Sequence, residues 1–378
     1  MLDDTVLDDP QRLSDADTGG LLRAVAMGGA QVRSTIEAAQ ELELAERLDI
    51  GRPRSLVIVV RPGAGLAAAQ LLTALLAPAC PVPVVVSDVV PPWIGALDVV
   101  LAHTDDPYDR DLAASLERAA RYGATVVLSA PPEGPVASSV AGRGLLLSPR
   151  IVVPPELSFP RALTAGLLTA GALGLLVCDV DGLADRLDGE AARGHLDQES
   201  FVNPAKSLAL RIADRTPLLW GLDHAAVAVG QHAAYALGAH AAVVADVADY
   251  RQALARPALH TAAARGGDER DIFADPDFDE VSAGAPPRAL LLSVRTGPAT
   301  DSARYRVNET LPAADVLAPA EELVDADDVA CAAVLALRFE LAAVYLGLAA
   351  GTIGGRRPRR ADVRVTSARP GVAGEEWS

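Results

Sequence analysis

The chain has 378 residues, half of them apolar, and a formal net charge of −17. That length holds two or three domains with sizeable cores and excludes intrinsic disorder as the class. The acidic balance argues against nucleic-acid or anionic-membrane partners, since either needs a basic face to displace counterions, and any phosphate ligand then needs a locally basic pocket.

The first 17 residues are acidic and lack the charged-then-apolar pattern of a signal peptide. Residues 20–48 read as one or two helices, with Leu22, Val25, Ala26, Val32 and Ile36 at near-helical spacing. SLVIVV (55–60) is a buried strand, followed by the loop 61–65 and a helix over 66–76. Then come the strands VPVVVS (82–87) and LDVVLA (97–102), a helix over 109–122 and the strand TVVLS (125–129). Short apolar strands alternating with helices predict a parallel sheet covered on both faces.

IVVPPELSFPRALTAG (151–166) reads as a hinge. The β-branched run stops at Pro154 and Pro155, and Pro160 opens a helix whose first turn carries Arg161. A guanidinium there can clamp an anionic ligand beside free backbone N–H groups, or it can pair with a carboxylate across the domain junction. In the first case Arg161→Ala removes binding and spares folding; in the second it lowers the melting temperature. The longest apolar run, 162–178, falls short of the ~20 residues of a membrane span, so no membrane partner is expected.

Beyond the hinge, helices are expected over 161–176 and 201–213. The strand–loop–helix–strand order then restarts with TPLLWGL (216–222), a helix over 224–237 and AAVVAD (241–246) as a strand. A polar loop over 265–287, the strand RALLLSVR, a weaker strand in ADVLAPA and an amphipathic helix over 327–350 complete the second half, and the basic end reads as a solvated tail. The domains expected are 1–155 (N-terminal helices plus a first α/β unit), 156–355 (a second unit) and 356–378 (the tail).

Beside the hinge, three stretches can carry chemistry. Gly63, Gly65, Ala68 and Asp88 keep the order of a dinucleotide fingerprint, which is also the order of any tight βα turn, so a nicotinamide oxidoreductase stays as a third-ranked reading. In LAHTDDPYDRDL, the acids Asp105, Asp106 and Asp109 suit helix caps better than a phosphate cradle. NPAK places Asn203 and Lys206, the only lysine of the chain, at a helix start. His232 and His240 give no convincing metal-ligand spacing, and Cys80, Cys178 and Cys331, odd in number and set in apolar runs, read as reduced thiols of a cytoplasmic protein; no metal and no cofactor are expected.

Taken together, the βα loop and strand of 57–87, PPELSFPRALTAG, NPAKSLALRIADRTPLLWG, DIFADPDFDE and FELAAVYLGLAAG resemble the phosphoglucose/phosphomannose isomerase family built from two sugar isomerase (SIS) domains, in a divergent TobH-like branch. The resemblance implies two three-layer αβα domains with mainly parallel sheets, a phosphorylated hexose or related anionic sugar as ligand, and a cytoplasmic homodimer. In that family Ser and Thr of an SxSGxT-type loop hold the phosphate, a Glu moves the proton between C1 and C2, a His opens the ring, and an Arg after the hinge proline steadies the enediolate. Carried over here, Arg161 and His260 are the catalytic residues, and Gly63, Gly65, Thr104, Asn203 and Lys206 bind substrate. The phosphate loop is HTDDPYD instead, and Ala239 stands where the catalytic Glu would be. Two functions follow as expectations: an aldose–ketose isomerase homologue of hexose 6-phosphates, or a non-catalytic sugar-phosphate-binding or regulatory protein.

Overall fold

A computed structural model describes residues 4–265, 285–323 and 325–354. The polar loop expected over 265–287 and the basic tail lie almost wholly outside the described residues.

Among the described residues nine strands form two sheets, parallel throughout. β1 (Ser55–Val60), β2 (Val84–Ser87), β3 (Asp98–His103), β4 (Thr125–Ser129) and β5 (Leu145–Leu147) take the order β2-β1-β3-β4-β5. β6 (Thr216–Gly221), β7 (Asp246–Asp249), β8 (Pro287–Leu292) and β9 (Asp315–Leu317) take the order β7-β6-β8-β9. In each sheet the chain leaves its first strand, adds a neighbour on one side and crosses to the other. The βα loops therefore diverge between β1 and β3 and again between β6 and β8, which leaves a crevice at the carboxyl ends of each strand pair.

The central strands are apolar along their whole length because both faces are covered. Leu56, Ile58, Leu101 and Val127 of the first sheet share one inner core with Leu219, Leu290 and Leu292 of the second. Val57, Val59, Val100 and Val126 face a separate outer core, and Leu218, Trp220 and Leu291 face a third. Between the sheets lie the helices Gly28–Glu41, Ala64–Leu76, Phe159–Ala172, His224–Ala236 and Asp328–Ala350. The last was expected to be amphipathic, but Val329 through Leu348 are all buried, so it is the central helix of the inner core. Its length and hydropathy would also suit a membrane span, and its complete enclosure is that of a core helix.

One other expectation is corrected. AAVVAD is not a strand: the helix His224–Ala236 runs into a π-type turn, Leu237–Ala241, which ends at Ala242 with φ +56°, and the ladder starts only at Asp246. The helix Val180–Arg193 and the short strand β5 were not anticipated. The hinge helix Phe159–Ala172 packs on Gly28–Glu41, Ala64–Leu76 and the inner faces of β3 and β4, so it is built into the first unit's inner layer. Gly166 permits this approach, since a Cβ there would lie 2.6 Å from Leu72 Cδ2.

Candidate functional site

The crevice between the ends of β1 and β3 is a cavity of about 380 Å³. Its walls are the β1 loop with Arg61, Gly63 and Gly65, the β3 end with His103, Thr104 and Asp105, the hinge residue Glu156, and Tyr235 from the second half.

Each wall has a local cause. Helix Ala64–Leu76 opens on Gly63 at φ +127°, a backbone geometry that favours glycine, and no Gly63 side chain caps it. Its N-terminus, with the positive end of its dipole, faces the cavity. The Ala64 N–H is directed at the Tyr235 hydroxyl, whose titration burial and nearby carboxylates push upward, so Tyr235 remains a neutral phenol. Gly65 lets this helix reach β3, because a Cβ there would stand 2.7 Å from His103 Cδ2.

The loop after β3 is held by its own side chains. Thr104 Oγ1 accepts from Asp106 N at 3.1 Å, Asp106 Oδ1 accepts from Tyr108 N at 2.9 Å, and Asp109 Oδ1 accepts from Leu112 N at 2.9 Å as the cap of helix Arg110–Arg121. Arg61 donates to both oxygens of Asp109, at 2.6 and 3.0 Å, and to the Asp88 carbonyl at 2.8 Å. That guanidinium therefore bridges the glycine turn to Asp88, the acid that a dinucleotide ribose would need.

Asp105 differs from its neighbours. Its Oδ1 pairs with Arg161 Nη2, and its Oδ2 accepts from Ser158 Oγ at 2.6 Å. Burial alone would raise the Asp105 carboxyl, but the Arg161 charge, the Ser158 hydrogen bond and the nearby His103 ring outweigh it and hold the group well below the usual carboxylate range. His103 is pushed the other way by burial, against the pull of Asp105, and stays neutral near pH 7. Its Nδ1 lies 3.1 Å from Ser129 Oγ, while Nε2 lies 3.5 Å from Asp105 Oδ2 without a hydrogen-bond partner.

The expected site residues divide into two groups. Gly63, Gly65 and Thr104 line the cavity, and Arg161 borders it through Asp105. Arg161 is in the first turn of its helix, as expected, yet it pairs with a carboxylate and has no bond to Asn203 or Lys206. Asn203 caps the helix Pro204–Ile212 and donates to the His195 carbonyl. The buried Lys206 donates at 2.7 Å to the carbonyls of both Leu196 and Gln198, over the Tyr345 ring. Both side chains thus hold the 195–203 turn, away from the crevice between β1 and β3. His260 stacks on Trp220 at a ring separation of 6.0 Å, on the outer face of the second sheet, which faces away from the inner core that holds the hinge helix. Its assignment as the ring-opening histidine has no support in this placement. His103, Ser158, Glu156 and Tyr235 went unnoticed in the sequence; only His103, at the end of an apolar strand, carried a visible signal.

No protein-family model matches the chain, and no curated protein matches it. Solved structures do match. Tagatose-6-phosphate ketose/aldose isomerase from Escherichia coli aligns with a TM-score of 0.59 at 11% identity, over 89% of this chain and 95% of that one. The C-terminal domain of glucosamine-fructose-6-phosphate aminotransferase from Francisella tularensis aligns with a TM-score of 0.57 at 14% identity, over 88% and 96%. A hypothetical protein from Thermus thermophilus gives 0.62 at 12%, over 91% and 89%. The chain has the fold of these neighbours, two SIS-like αβα units with parallel sheets.

The two SIS units differ at their crevices. In the second, Asp223 caps helix His224–Ala236 and its other oxygen accepts from Val294 N and Arg295 N at 2.9 and 3.0 Å, which ties the β6 loop to the loop after β8. In the first the crevice opens into the cavity, so the first unit carries the candidate site.

Proposed function

We propose that this protein binds a phosphorylated hexose or a related anionic sugar in the first crevice and does not isomerise it. One observation carries the reading: a helix N-terminus whose N-cap residue supplies no side chain opens into a cavity of sugar size, at the divergence point of a parallel sheet. The ligand class is supported by neighbours named for tagatose 6-phosphate and for glucosamine and fructose 6-phosphate. The finer resemblance to phosphoglucose/phosphomannose isomerases belongs to this proposal too, and within it Ala239 removes the proton-transferring carboxylate, a loss of about 10²–10⁴ in rate. The carboxylates at the mouth, Asp106 and Glu156, suit sugar hydroxyls as hydrogen-bond acceptors. A cytoplasmic homodimer is part of the same proposal.

Titration calorimetry with fructose 6-phosphate and glucose 6-phosphate, run beside NMR of fructose 6-phosphate incubated with the protein, tests both parts. Saturable binding without conversion above buffer is expected. Conversion would restore the isomerase reading, and absence of binding would remove the sugar-phosphate reading altogether.

A further inference from the structure

In the loop after β3 the N–H groups of Asp106 and Tyr108 are taken by the side chains of Thr104 and Asp106, and the Asp109 side chain caps the next helix, so side-chain oxygens already occupy part of the place a phosphate cradle would need. Next to it lies a set of buried donors in surplus. Arg161 and His103 have side chains only 7% and 6% exposed, and both Arg161 Nε and His103 Nε2 lack a hydrogen-bond partner. The tautomer in which Ser129 donates to His103 Nδ1 carries the ring proton on Nε2, on the side of Asp105. The single hydroxyl proton of Ser158 is shared between Asp105 at 2.6 Å and the Pro155 carbonyl at 2.8 Å. The Asp105 side chain thus leaves two buried nitrogens, Arg161 Nε and His103 Nε2, without an acceptor, and buried polar groups left unpaired are costly.

We propose that Arg161, Ser158 and His103 form an oxyanion subsite that Asp105 fills as a built-in competitor, and that the phosphate group of a ligand binds there by displacing the Asp105 side chain into the cavity. This rests on the reading of the crevice as a sugar-phosphate site and adds the residue that sets its affinity. A tetrahedral oxyanion brings more acceptor oxygens than a carboxylate, in directions that can reach the two unpartnered nitrogens. Asp105 has somewhere to go, since it is the one member of the pair that is 22% exposed and lines the cavity. In wild type the ligand must break a buried ion pair to bind, so phosphate affinity is low by construction.

The probe is inorganic phosphate, with acetate as the planar control, followed by thermal unfolding of the wild type, Asp105→Asn and the double variant Asp105→Asn/Arg161→Met. Asp105→Asn should melt lower than wild type in phosphate-free buffer. Phosphate should restore it with an affinity about ten- to hundredfold tighter than for wild type, the range of one charge-assisted bond. Acetate should restore it less, and the double variant should ignore both. An Asp105→Asn protein that responds to phosphate no more than wild type does overturns the proposal. If that variant folds only with phosphate present the proposal stands, and if it folds in neither buffer Ser158→Ala decides, where unchanged phosphate affinity overturns it. Failure of wild type to bind fructose 6-phosphate, with phosphate rescue of Asp105→Asn intact, would remove the sugar reading and leave the subsite; the reverse pattern would remove the subsite alone.

Discussion

Arg161→Ala tests whether the hinge is held by charge. The substitution leaves the Asp105 carboxylate with the Ser158 hydroxyl as its remaining close donor, inside a site where Arg161 is 7% exposed and Asp105 22%. Breaking a buried pair by removing one partner costs about 3–5 kcal/mol, and the partial access of Asp105 to the cavity puts this case near the lower end, about 3 kcal/mol. In urea, with a slope of about 3 kcal/mol per molar, the midpoint should fall by roughly 1 M. The pH dependence has a definite sign. In wild type the Asp105 carboxyl lies below its ordinary value, so its stabilisation is present above the unfolded pKa and is lost as pH falls through the folded one. In the variant the uncompensated carboxyl is pushed up instead, and protonation relieves its penalty, so the gap between the two proteins should narrow from pH 7 toward about pH 4. A variant within about 1 kcal/mol of wild type, or a gap that stays constant with pH, would refute a charge-held hinge.

Two further outcomes follow from other contacts. Arg295 donates through Nη2 to the carbonyls of Ala74, Leu75 and Ala77, at 3.1, 3.1 and 2.9 Å, and through Nε to Asp328, so it caps a first-unit helix from the second unit. Arg295→Ala should lower stability by about 1.5–3 kcal/mol in equilibrium denaturation, and a loss below the error of that measurement would contradict this. Gly65→Ala places a methyl against His103, and should cost about 1–3 kcal/mol of stability and weaken fructose 6-phosphate binding in calorimetry; unchanged values for both would show that the helix and β3 can separate freely.

Much of the first unit was legible because its signals are local. SLVIVV and TVVLS announce two-faced strands by composition, and Asp109 sits where a cap must sit, one residue before its helix. The second unit was read less well. AAVVAD has strand composition, but the continuing helix and its π-type turn take up the first residues, and that choice depends on packing against the last helix. The last helix itself misled for the opposite reason. Arg338 and Glu340 give it a polar appearance, yet both are buried: Arg338 pairs with Glu190 and Glu322, and Glu340 Oε1 lies 3.0 Å from His232 Nε2.

The sequence by itself determined the alternating α/β order, the parallel sheets, the opening of the hinge helix near Pro160 and the glycine turn after β1, since each depends on residues within a few positions of one another. Only the tertiary structure decided what Arg161 does, because its partner Asp105 lies 56 residues away and could have been read equally well as a third helix cap. The same holds for Tyr235, which reaches the first crevice from the other unit, and for Lys206 and Asn203, whose side-chain nitrogens donate to the backbone of the preceding turn. Local propensity fixes which elements form. Which side chains meet is set by how the two sheets close around one inner core, and a pairing across that core leaves no periodic trace in the chain.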